Sequence, residues 1–175
     1  MRLVLCDLDP ELVLAFTQTF GPYAGITVGS GDLLRARVDA VVSPANSFGY
    51  LDGGIDLAYR AAFGLGLQRR LQAVIEARFS GELPIGEATL LSTGHPRIKQ
   101  IIFAPTMRTP SVIDDPTVVY LATKAALQCA LTALLPIERL GFPGMGTGIG
   151  RVDPFECAAQ MKRAILEVLP TIKIV

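Results

Sequence analysis

AVVSPANSFGYLDGGIDLAYR, residues 40–60, decides the reading of this chain. Residues 40–42 are a short apolar, β-branched run of the kind that forms a buried strand. The run passes into a loop of small residues with Asn46, Gly53, Gly54 and Asp56, and then straight into a helical pattern over residues 55–63. A strand that opens through glycines into a helix start is a place for backbone to approach a ligand. Glycine removes the side chains in the way, and the first turn of a helix offers unpaired N–H groups at the positive end of its dipole. Phosphate is the guest this arrangement suits. An ordinary tight turn would account for the glycines, but not for the Asn and Asp held beside them.

Outward from this stretch the same alternation continues. Residues 2–8 read as a strand, and Asp9-Pro10 as cap and first residue of a helix that Gly21-Pro22 ends. The Asp-Pro device recurs at Asp115-Pro116 and Asp153-Pro154, where Glu156 adds a capping-box pattern. Further strands are expected at residues 26–28, 89–91, 101–103, 137–140 and 172–175, and further helices at 67–77, 117–135 and 155–169, with Pro136 and Pro170 as stops. Alternating strands and helices give an α/β fold, and continuously apolar strands give a mostly parallel sheet covered on both faces. Ligands in such sheets sit outside the carboxyl ends of the strands. With no repeat, low-complexity tract or linker, residues 1–175 are expected to form a single domain.

Composition narrows the function. Sixteen basic residues balance sixteen acidic ones, so no broad positive field attracts nucleic acid or an anionic membrane. Mean hydropathy is +0.44, yet no apolar run approaches the roughly 18 residues of a membrane helix. The apolar start is broken by Asp7 and Asp9, and a cytoplasmic location is expected. Cys6, Cys129 and Cys157 are widely spaced and His95 is the single histidine, so the cysteines read as buried thiols and no metal site is expected. His95 reads as an exposed loop residue. With one histidine and no Gly-x-Ser-x-Gly elbow, acyl transfer by Ser or Cys is a poor fit.

A second glycine loop, GFPGMGTGIGRVDP, follows the strand near Leu140, with Gly144, Gly146, Gly148 and Gly150 alternating before the Asp153 helix start. Alternate glycines let successive N–H groups converge on oxygens. The pattern is neither Gly-x-Gly-x-x-Gly nor a nucleoside-triphosphate loop, since Ile149 and Arg151 stand where those need other residues. Two such loops on one sheet suggest a diphosphate clasped between them.

In order along the chain, GDLL (31–34), VDAVVSPANS (38–47), GEATLLSTG (86–94) and FPGMGTGIG (142–150) resemble the motifs of the macro domain, the ADP-ribose-binding module. The resemblance spans about residues 28–161 and implies a three-layer α/β/α sandwich around a mixed, mostly parallel sheet. It implies that Asp32, with Leu33 beside it, would take the adenine amino group, and that Asn46 would face the distal ribose. Gly53, Gly54 and Ile55 would line the first phosphate loop. Gly146, Thr147, Gly148, Ile149 and Gly150 would form the second. Asp56, ten residues after Asn46, matches the acidic residue of hydrolytic members, which would make Asp56 and Asn46 the catalytic pair.

The chain also departs from the family pattern. Ser43 stands for the first Asn of the Asn loop, Leu51-Asp52 for two glycines, Gly150 for an aromatic residue and Phe103 for a frequent His. The implied partner is ADP-ribose or an ADP-ribosylated substrate, with no cofactor, no membrane and no nucleic acid. The implied activity is hydrolysis of mono-ADP-ribosyl or O-acyl-ADP-ribose linkages at the distal ribose. Beside it stand a non-catalytic reader of ADP-ribose and an interaction module with a repurposed pocket. Oligomeric state is not legible.

Overall fold

The computed structural model describes residues 1–174. Its centre is a six-stranded sheet. The strands are β1 (Arg2–Asp7), β2 (Ile26–Ser30), β3 (Ala40–Ser43), β4 (Thr89–Ser92), β5 (Gln100–Phe103) and β6 (Arg139–Phe142). They lie in the order β2-β1-β6-β3-β5-β4, all parallel except β4, which runs antiparallel to β5 at the edge. The register places Leu3 against Leu140 and Val41 against Gly141.

The period-2 alternation of the strands divides the core into two. Leu3, Leu5, Ala40, Val42, Ile102, Leu140 and Phe142 face one side. There they pack against α1 (Pro10–Phe20), α4 (Thr117–Leu131) and α5 (Pro154–Val168). Cys6, Val41, Ile101 and Phe103 face the other, with α2 (Gly54–Phe63) and α3 (Gly66–Phe79). Helices on both faces make the α/β/α sandwich. Gly141 is a glycine because Leu33 and Val38 fill that space; a Cβ there would lie 2.8 Å from the Leu33 Cδ1.

The Asp-Pro starts work as local chemistry dictates: Asp9 accepts from the Glu11 amide, Asp115 from Thr117, and Asp153 from both Phe155 and Glu156. The capping box is half formed, because the Glu156 carboxylate turns to Gln160 instead of back to the cap. The fourth helix ends at Leu131, short of the expected Leu135. The Thr132 hydroxyl takes the carbonyls of Gln128 and Cys129, and Leu134 beyond it is fully exposed, with no packing to extend the helix.

Of the strand expected at 172–175, the described residues 172–174 are not part of the sheet. Ile174 makes only an isolated bridge to Tyr23, which lies ahead of β2 in a turn, so the pairing has no strand to follow; Val175 is outside the described residues. Cys6 and Cys157 are buried, whereas Cys129 is only half-buried. His95 is half-buried too. Its Nδ1 accepts the amides of Arg97 and Ile98, and its ring meets Phe63 edge-on, so it organises a turn. No helix among the described residues is long and apolar enough to cross a membrane.

Candidate functional site

The loops leaving the carboxyl ends of the five parallel strands converge on one cleft of about 360 Å³. Cys6, Asp7 and Leu8 line it from β1, Gly31–Leu33 from β2 and the Asn46 loop from β3; Thr106, Met107 and Pro110 come from β5, and Pro143, Gly144 and Gly146 to Gly150 from β6. Every sequence-predicted site residue lies here: Asp32, Leu33, Asn46, Gly53, Gly54, Ile55, Asp56, Gly146, Thr147, Gly148, Ile149 and Gly150. Among the described residues, no group of three or more His, Cys, Asp or Glu side chains is placed to hold a metal ion.

Gly53 caps α2, and Gly54, at φ 53°, starts it in the left-handed region that a residue with a side chain adopts only at a cost. The amides of Gly53, Gly54, Ile55 and Asp56 donate to no acceptor among the described residues, and neither do those of Gly146 to Gly150. Both runs border the cleft. The two loops approach each other where a Cβ on Gly53 would lie 2.9 Å from the Ile149 Cδ1. Unsatisfied amides from a helix start and a glycine loop are groups that can meet the oxygens of an anion. The charge must come from there, because no Lys, Arg or His lines the cleft and its charged side chains are Asp7, Asp32, Asp52 and Asp56.

The carboxylates have different tasks. Asp7 Oδ1 accepts from the Asp9 amide and Oδ2 from Gly144 at 3.0 Å, which ties the end of β1 to the second glycine loop. Asp32 caps the short turn Leu33–Arg35 through the Leu34 amide, with Arg35 3.7 Å away, and it keeps further lone pairs toward solvent. Asn46 is taken up by its own loop. Its Oδ1 accepts from Phe48 and Tyr50, and its Nδ2 donates to the Tyr50 carbonyl, leaving one N–H free.

Asp56 is 9% exposed, and its Oδ1 accepts from the Ser43 hydroxyl at 2.5 Å. Burial pushes its carboxyl up to about 7 against the Ser43 hydrogen bond, which lowers it; the charge of Asp52 adds to the rise. One turn on, the buried Tyr59 hydroxyl donates to the Val42 carbonyl at 3.0 Å, so consecutive turns of α2 are bolted to the end of β3.

The departures noted in the sequence have structural counterparts. Leu51 is fully buried beside α3, its amide donating to Gln68 Oε1. Gly150 has no room for a side chain, since the Gly146 carbonyl and Ile113 occupy the space, and its carbonyl accepts from the Ile113 amide. Sequence reading missed Asp7, Ile113 and the residue 106–110 wall. A signal existed for two of them, since Asp7 ends a parallel strand and Thr106 to Pro110 follow another, where ligands gather.

Comparison with known proteins agrees with this geometry. The macro domain family model matches residues 42–161. An uncharacterised protein of Aquifex aeolicus is 36% identical over 142 residues, covering 81% of this chain and 79% of that one. The macrodomain of Mycobacterium tuberculosis DarG superposes with a TM-score of 0.68 at 24% identity, covering 80% of this chain and 89% of that one. DarTG of Thermosipho africanus, solved in complex with ADP-ribose, gives a TM-score of 0.66 at 16% identity over 79% of this chain and 38% of that one.

Proposed function

The chain belongs to the macro domain family, and on that premise we propose that its cleft binds ADP-ribose, free or attached to another molecule. The observation that carries this reading is the pair of unsatisfied amide runs, Gly53–Asp56 and Gly146–Gly150, bordering one cleft with no basic side chain. A diphosphate between two nucleoside-like ends suits such a site: its charge is spread over oxygens that backbone N–H groups can meet one by one. Asp32 takes the adenine amino group on its free lone pairs. Gly53 to Ile55 and Gly146 to Ile149 hold the diphosphate, and the free N–H of Asn46 is left for the distal ribose. The Thermosipho protein of the same fold, in complex with ADP-ribose, supports the choice of ligand. Titration with ADP-ribose followed by amide NMR tests it. Shifts concentrated at Gly53–Asp56 and Gly146–Gly150 are expected, and shifts confined elsewhere would overturn the reading.

Asp56 favours a second reading, hydrolysis at the distal ribose. A carboxyl held near 7 beside the cleft can take a proton from water as that water attacks the anomeric carbon and the bond to the leaving group breaks. Because the base must be ionised, turnover rises with pH through about 7. Asp56→Ala is expected to abolish turnover of an ADP-ribosyl ester and leave binding in place. Equal turnover by the variant would dismiss hydrolysis by this residue.

A further inference from the structure

Ser43 does not line the cleft, yet its hydroxyl donates a hydrogen bond to the one buried carboxylate among the described residues that does. Ser43 is fully buried at the carboxyl end of β3, and Asp56 lies on the first turn of α2. The hydrogen bond at 2.5 Å occupies Oδ1, while Oδ2 has no protein partner among the described residues. The carboxyl is therefore fixed in rotation with one oxygen committed and the other free. The groups that face it are few. Asp52 stands in the loop before α2 and its charge acts on Asp56, and Tyr59 lies one turn on with its hydroxyl committed to Val42; Asp7 and Asp32 line the same cleft from the ends of β1 and β2. No basic side chain among the cleft's lining balances them.

We propose that Ser43 is the positioning residue for Asp56, and that the pair links anion binding in the cleft to one proton, the ligand binding more tightly when Asp56 carries it. The proposal rests on the ADP-ribose reading above and adds a regulation to the same site. The physical reason is the cleft's charge: a diphosphate seated at the amides of residues 53–56 lies beside a carboxylate with no counter-cation, so ligand and ionised Asp56 repel. Linkage is reciprocal, so whatever the proton does for the ligand the ligand does for the proton. Ser43 sets where this happens, because its hydrogen bond favours the ionised form. Removing the donor moves the midpoint to higher pH.

Calorimetric titration with ADP-ribose from pH 5.5 to 8.5 tests this. That ligand is preferred to AMP or ADP, whose terminal phosphates titrate near 6 and would add their own slope. If the bound ligand raises the Asp56 midpoint by about one unit, the association constant of the wild type should fall about fivefold between pH 6 and pH 8, with proton uptake visible as buffer-dependent heat. Asp56→Asn should bind with no such slope, and Ser43→Ala should shift the slope upward in pH. A thermal melt of each variant shows that it is folded, and a merely structural role for Ser43 would weaken binding equally at every pH. The same slope in Asp56→Asn as in the wild type, or an unmoved midpoint in Ser43→Ala, would overturn the proposal with ADP-ribose binding intact. Absence of binding at every pH would instead remove the ADP-ribose reading itself, and this proposal with it.

Discussion

The loop from Ser43 to Asp56 and the loop from Pro143 to Gly150 leave neighbouring parallel strands and border the same cleft, but different forces hold them. Side chains fix the first: Ser43 on Asp56, Asn46 on the backbone around Tyr50, Gln68 on Leu51. The second is anchored at its start by the Asp7 carboxylate and is otherwise fixed by backbone bonds and by the absence of side chains. Gly144 donates to Asp7, Val152 to the Gly146 carbonyl and Ile113 to the Gly150 carbonyl, and Gly150 has no space for a Cβ. The first loop can thus be tuned by protonation and polar substitution, whereas the second responds to volume.

The largest difference should come from Asp56. Its folded midpoint lies above the usual carboxylate value, so it stabilises the fold fully below about pH 4, and that contribution is lost as pH rises toward 7. The loss is on the order of a few kcal/mol. Denaturant unfolding of Asp56→Asn against the wild type should show a gap that opens over this window, with the variant the more stable at pH 8; a constant gap would mean the carboxyl is not held near 7.

Gly150→Val should follow, at about 1–3 kcal/mol from overpacking against Ile113, with at least a tenfold loss of ADP-ribose affinity and no dependence on pH. A fully stable Gly150→Val would break the contrast between the loops. Asn46→Ala removes three hydrogen bonds within its loop and should cost about 1–2 kcal/mol in a thermal or denaturant melt. Smallest is Ile149→Ala, within about 0.5 kcal/mol of wild type because the side chain is half exposed and meets Gly53 only at its tip. Its effect should be confined to ligand affinity.

What the sequence disclosed follows the range of each interaction. The Asp-Pro caps at Asp9, Asp115 and Asp153 are decided by neighbours two or three residues away and were readable as such. Both glycine loops were readable for the same reason. The end of α4 at Leu131 was not, since nothing packs on Leu134 and periodicity alone does not record that. Nor was the absence of a sheet strand over the described residues 172–174, whose partners Tyr23 and Ala24 are remote in sequence. In the site, Asp7 reaches Gly144 across 137 residues, and Ile113 fills the space beside Gly150 from another strand's loop. Such contacts come from the sheet order. The Asx turn of Asn46 is local and legible, yet so is its reading as a ligand group; the structure shows the turn formed with one N–H to spare.

The central claim is that two backbone amide runs hold a diphosphate with a ribose beyond it. Titration calorimetry at pH 6 with ADP-ribose, ADP and AMP tests this most directly. The account predicts that ADP-ribose binds more tightly than ADP, and ADP more tightly than AMP, because each loss removes contacts with one loop or with the distal end of the cleft. Equal affinity for AMP and ADP-ribose, or no heat with any of the three, would contradict it.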